Sequence, residues 1–270
     1  MAHFRGGLWN PPPDPEKPPC PYTLGFTVNI MQHKPRAPFG GREYGRADWP
    51  YDPSREWLQS VTQTKHVLQH PPPDSNPTPS GSSTPQIARL VITDLIAVED
   101  GRGAQIAVCS ITPQAVEADC KPYMAVAKIF DPLYYSFRNQ IARHRPSDVV
   151  FDAETDYCRE AAAYEHLQKT GQTGLFAPEY HGSWTFNLPI CYEGVTQQRP
   201  VRLLLIEHLN GVCIARPVRG PTYRDVRHRI PSRRPFQDAR RLYTAASQRP
   251  HPTRLGASKH HPRPRLPRHT

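Results

Sequence analysis

Long apolar runs are missing from this 270-residue chain. The longest uninterrupted aliphatic stretch, Leu203-Leu204-Leu205-Ile206, falls far short of the roughly 20 residues that a membrane helix needs, which excludes a membrane-spanning helix. No apolar segment separates Met1–Leu8 from Pro11-Pro12-Pro13, so no secretory signal is visible and the cytosol or nucleus is the default expectation. Cysteine is sparse: the six residues at 20, 109, 120, 158, 191 and 213 match no zinc or redox spacing, and scattered reduced thiols with no metal site are expected. No G-x-x-x-x-G-K-[ST] occurs, which excludes a P-loop. Hydrophobic content is 37% and mean hydropathy is -0.66, so any apolar core must be concentrated, and part of the chain is expected not to fold. Acidic residues are nearly absent from 216–270, where Asp225 and Asp238 stand against 15 Lys and Arg. The whole net charge of +10 comes from those last 55 residues.

Proline divides what is present. Residues 1–86 carry 17 of the 33 prolines and are expected to be a mostly extended or disordered arm, because proline fixes φ and removes backbone donors. Within it, 52–69 predicts a short helix, with Asp52 as N-cap, Pro53 at the first helical position and Trp57, Leu58, Val61 and Leu68 on one face. Between 87 and 215 proline thins and periodicity appears. The runs 88–98 and 105–111 predict a hairpin around Glu99-Asp100-Gly101-Arg102-Gly103, and 124–130 predicts a strand stopped at Asp131-Pro132. A helix is expected over 154–169 with Gly171 just beyond it, then strands at 179–186 and 201–209 around a polar turn at 197–200. The basic 216–270 segment, with nine prolines, is expected to be a disordered tail.

Two charged residues interrupt apolar patterns. Lys128 lies among Val126, Ala127, Ile129 and Phe130, a costly place for an ammonium without an anion. At 100° per residue, Glu160 falls between Tyr164 and Leu167 on the helix's apolar face. The economical solution is that Lys128 and Glu160 meet, leaving the ammonium positioned for the phosphate oxygens of a nucleotide. A snorkelling lysine and a helix-edge glutamate are the alternative.

These residues, in this order, resemble the protein kinase-like superfamily, and in detail the divergent fungal group of protein kinase domain-containing proteins. The resemblance covers about 87–215. Tyr123–Tyr135 is similar to that group's third strand, with Lys128 at the nucleotide-contacting position, and Asp156–Leu167 to its C-helix, with Glu160 at the ion-pair position and Glu165 as the competing candidate. Leu204–Gly211 resembles the fifth strand and hinge. The resemblance therefore implies Ile206 as gatekeeper, Glu207 and Leu209 facing an adenine edge, and Gly101 and Gly103 as glycine-loop candidates. Two glycines replace the usual G-x-G-x-x-G, however. Beyond Ile214 the catalytic and metal-binding loops of a kinase are not found: the Arg224-Asp225 pair has no Asn four or five residues later. The composition break near Ala215 is what a shifted reading frame or a retained intron would produce.

The expected fold is α+β: a five-stranded antiparallel sheet with one long helix, as in a kinase N-lobe, between the Pro-rich arm and the basic tail. The expected function is that of a truncated kinase-like domain, catalytically inactive, with weak ATP binding and no metal. A pseudokinase-like module that docks a protein partner is the alternative, and non-specific nucleic-acid binding through 216–270 a second one.

Overall fold

The structure, a computed structural model, describes residues 7–38, 49–73, 85–114 and 121–211. The tail expected over 216–270 lies outside the described residues. In chain order the elements are β1 (Thr27–Gln32), α1 (Arg55–Ser60), α2 (Gln63–Gln69), β2 (Ile87–Ala97), β3 (Gln105–Pro113), β4 (Tyr123–Phe130), a 3-10 turn (Pro132–Tyr134), α3 (Val149–Lys169), β5 (Tyr180–Tyr192) and β6 (Val195–Glu207). All pairings are antiparallel, and the strands close into a barrel in the order β1-β2-β3-β4-β6-β5.

The barrel corrects the expectation of a five-stranded open sheet of the kinase N-lobe kind. β1 is the strand that the sequence hid. It pairs with β2 from Thr27↔Val91 to Met31↔Ile87, and with β5 through Met31↔Thr185 and Gln32↔Trp184. Five strands alone leave two edges of unpaired N–H and C=O groups, and one added strand satisfies both. The arm supplies it from the interval between Pro21 and Pro35, which contains no proline and whose backbone donors are therefore intact.

Alternation along the strands builds the interior. Leu90 and Ile92, Cys109 and Ile111, Ala127 and Ile129, and Leu203 and Leu205 are all essentially inaccessible to solvent, and they oppose one another across the ladders. The β5–β6 turn falls at Glu193-Gly194 rather than at 197–200. Glu193 at φ 50° and Gly194 at φ 76° form a two-residue turn of the hand that fits strand twist, and the Glu193 N–H donates to Glu16 Oε1 at 2.6 Å.

The helices follow their caps. Asp148 accepts from the Phe151 N–H at 3.2 Å and starts α3 at Val149, five residues before the predicted 154, because Val149-Val150-Phe151 has strand-like composition. At the other end Gly171, at φ 68°, donates to Gln168 O while Gln172 donates to Leu167 O, which closes the helix as a Schellman motif. The helix predicted over 52–69 is two helices: Ser54, not Asp52, caps α1, and Thr62 caps α2 after a break at Val61.

The described stretch ahead of β1, residues 7–26, holds no helix or strand and is pinned to the rest of the fold. Asp14 Oδ2 accepts from the Thr64 N–H at 2.8 Å, Lys17 Nζ donates to Asp100 Oδ1 at 2.7 Å, and the Tyr134 hydroxyl reaches the Pro19 carbonyl at 3.0 Å. Tyr22 is fully buried, with its hydroxyl 2.5 Å from Asp131 Oδ2.

Candidate functional site

β4 has two chemically different faces. Ala125, Ala127 and Ile129 fill the barrel, while Val126, Lys128 and Phe130 lie on the outer face beside Ile206, Leu204 and Arg202 of β6. α3 packs over that outer face with Ala153, Tyr157, Cys158 and Ala161 buried. Two of its carboxylates meet cations there. Glu154, 1% exposed, approaches the Arg202 guanidinium at 3.7 Å, and Glu160 forms an ion pair with Lys128.

The Lys128–Glu160 pair keeps between a quarter and a third of each side chain exposed. It opens onto a cleft of about 430 Å³ lined by Ala104, Lys128, Phe130, Asp156, Arg159 and Glu160. The ammonium also stands 5.6 Å from the centroid of the Phe130 ring, whose π face is attracted to a cation. Asp156 lies one helical turn before Glu160. Burial against the cleft wall holds its carboxyl above the usual range, and the Lys128 and Arg159 charges oppose this only in part. The Tyr135 hydroxyl approaches it at 3.5 Å, and deep burial holds that phenol well above its ordinary pKa, so Tyr135 is a donor at neutral pH. A lysine with a fixed carboxylate partner, open to solvent on one side, can bind an anion without being stranded when the anion leaves.

The sequence-predicted residues separate into two groups. Lys128 and Glu160 are brought together, and the 99–104 turn stands beside them through Ala104. The Gly101 N–H is already used, donating to Tyr134 O at 3.1 Å, and Gly101 needs its φ of 77° for the turn. Gly103 has an ordinary φ and open space where a Cβ would sit. Ile206 and Glu207 lie along β6 opposite Val126 and Ala125, and neither lines the cleft. The Glu207 carboxylate accepts from the Glu179 N–H at 3.1 Å, and its own N–H donates to Glu179 O at 2.8 Å. Leu209 is 59% exposed beyond the end of β6. Glu165 lies beyond Tyr164, whose ring stacks on Tyr180 at 5.4 Å, so it is not the partner of Lys128.

The sequence missed Asp156 and Arg159 as cleft residues. The signal was present in the helical spacing, since 156 and 160 share a face at i and i+4. Glu154–Arg202 had no such signal, because only the β4–β6 register puts Arg202 beneath the helix. Among the described residues no three His, Cys, Asp or Glu side chains converge as metal ligands, and no helix is long and apolar enough to cross a membrane. Comparison of the chain with protein-family models, curated proteins and solved structures finds no match.

Proposed function

We propose that the chain binds the phosphates of a nucleotide at Lys128, as the kinase-like resemblance implies, and does not transfer them. The observation that carries this reading is the Lys128–Glu160 ion pair at the mouth of a cleft bounded by β4, α3 and the 99–104 turn. Glu160 orients the ammonium, and Lys128 offsets phosphate charge. An ammonium neither holds a metal ion nor accepts a proton, so the pair by itself has the means to bind but not to orient an acceptor hydroxyl. Binding is expected to be weak, because one wall of contacts recovers only part of the cost of immobilising a ligand.

Titration with a fluorescent ATP analogue tests this. Saturable, weak binding is expected for the wild-type chain, with a loss of about tenfold or more in Lys128→Met and a smaller loss in Glu160→Gln. No saturable binding by the wild type, or equal binding by Lys128→Met, overturns the site. Transfer of γ-phosphate that disappears in Lys128→Met overturns the second half of the proposal.

A protein-docking role is favoured by a separate observation. Leu175 and Phe176, in the segment between α3 and β5, are 78% and 88% exposed. Charged substitutions there that leave nucleotide binding intact and abolish capture of a defined protein partner would establish that role as independent of the cleft.

A further inference from the structure

A second cleft, of about 400 Å³, adjoins the first and shares Asp156 and Arg159 with it. Three arginines line it from three separate elements: Arg102 from the β2–β3 turn, Arg138 from the loop after the 3-10 turn, and Arg159 from α3. Arg102 is exposed and makes no ion pair among the described residues. Arg138 donates through Nη2 to Asn10 Oδ1, but its Nε is buried with no partner among the described residues. The Thr155 hydroxyl, on a residue only 4% exposed, lines the same cleft and is likewise buried without a partner. Two buried donors left unsatisfied in one place are costly unless a ligand engages them.

We propose that this second cleft binds a phosphate monoester. A tetrahedral dianion presents oxygens in several directions, which suits three planar forks arriving from a turn, a loop and a helix. Arg138 Nε and the Thr155 hydroxyl, which solvent does not reach in the structure, become inner donors when the cleft side chains shift around the ligand. Asp152 and Asp156, one turn apart on α3, edge the cleft with the opposite charge. They offset part of the attraction that the three arginines exert on any anion, and they accept hydrogen bonds from hydroxyls on the rest of a small ester. Arg102, Arg138 and Thr155 line this cleft only and Lys128 lines the first only, while Asp156 and Arg159 border both.

The test is calorimetric titration of the full chain with phenyl phosphate and with inorganic phosphate at constant ionic strength, using phenyl sulfate as the singly charged control. Saturable binding of phenyl phosphate is expected, with phenyl sulfate much weaker. Arg102→Gln should weaken it about tenfold, while Lys128→Met, which removes only the phosphate contact of the neighbouring cleft, should weaken it less. Arg102 is an exposed turn residue, so its variant keeps the test usable if Arg138→Gln fails to fold; an unchanged thermal midpoint checks this. Equal affinity for inorganic phosphate and the ester supports a site that reads the phosphoryl group alone, and preference for the ester supports one that also reads the remainder. Absence of saturable binding overturns the proposal, as does wild-type affinity in Arg102→Gln. Loss of binding in Lys128→Met without loss in Arg102→Gln also overturns it, by assigning the anion to the first cleft.

Discussion

Two ion pairs take one partner each from the same short stretch, Lys128 and Asp131, and face opposite environments. Lys128 and Glu160 meet on the outer face of β4 at the edge of an open cleft. Asp131 and Arg199 meet at 2.5 Å at the end of the barrel, with side chains 0% and 4% exposed. The inner pair is surrounded by further partners: the Tyr22 hydroxyl and the Leu133 N–H donate to Asp131, and the guanidinium lies 5.8 Å from the Tyr134 ring centroid. Asp131 raises the pKa of Arg199, although burial opposes the charge, which fixes the guanidinium in its ionised form. The inner pair therefore joins β6, the 3-10 turn and the arm into one assembly. The outer pair orients a cation that water, or a ligand, still reaches. Solvent access rather than pair chemistry separates a structural role from a binding role.

The largest effect is expected from breaking the inner pair. Arg199→Met leaves the Asp131 charge buried without its cation, and the midpoint of urea unfolding should report a loss of about 3–5 kcal/mol. A loss below about 1 kcal/mol would mean that Asp131 reaches water and would dissolve the contrast.

Burial also sets a pH response. His33, 4% exposed and hydrogen-bonded through Nδ1 to the Tyr157 hydroxyl at 2.7 Å, has its pKa lowered to about 3 by burial and by the nearby Arg202. Between that value and its ordinary 6.5 the unfolded chain binds a proton that the folded chain refuses, so stability falls as pH drops through this window. Denaturant curves should lose about 2 kcal/mol between pH 7 and pH 5, and His33→Gln should flatten that slope. An unchanged slope in the variant would remove His33 from the account.

The two turn glycines sharpen the comparison on the cleft side. Gly101→Ala forces a side chain into positive φ and should cost about 1 kcal/mol, whereas Gly103→Ala should be nearly neutral by thermal unfolding. Equal costs would mean that the turn is held by something other than Gly101. A small stability effect is also expected at the outer pair itself: Lys128→Met should change unfolding by less than about 1 kcal/mol while weakening nucleotide binding about tenfold or more. A loss as large as that of Arg199→Met would make the outer pair structural as well.

What was legible in the sequence was local. The β2–β3 hairpin, β4 and the C-terminal half of α3 carry their own periodicity, and Gly171 marks its helix end as expected. Lys128 and Glu160 could be paired in advance because each is a charge inside an apolar period and the kinase-like resemblance puts them at its ion-pair positions. Asp131 gave no such signal, since an Asp-Pro step at the end of a strand reads as a stop and conceals a buried carboxylate that also caps the 3-10 turn. Arg199 lay in a stretch that resembles a turn, which moved the predicted hairpin end from 193–194 to 197–200.

The sequence by itself determined the order of strands and long helix from Ile87 onward, though not all their bounds, and it marked one of the two charge pairs beneath that helix. Those features depend on side-chain period and on the cost of an unpaired charge, both written in neighbouring residues. The tertiary structure alone decided that the sheet closes, because β1 is recruited by backbone hydrogen bonds to two strands far away in sequence, and such bonds leave no pattern in side chains. It likewise decided which ion pair is sealed and which is open, since solvent access at Arg199 and Lys128 depends on the arm and the helix that pack over them.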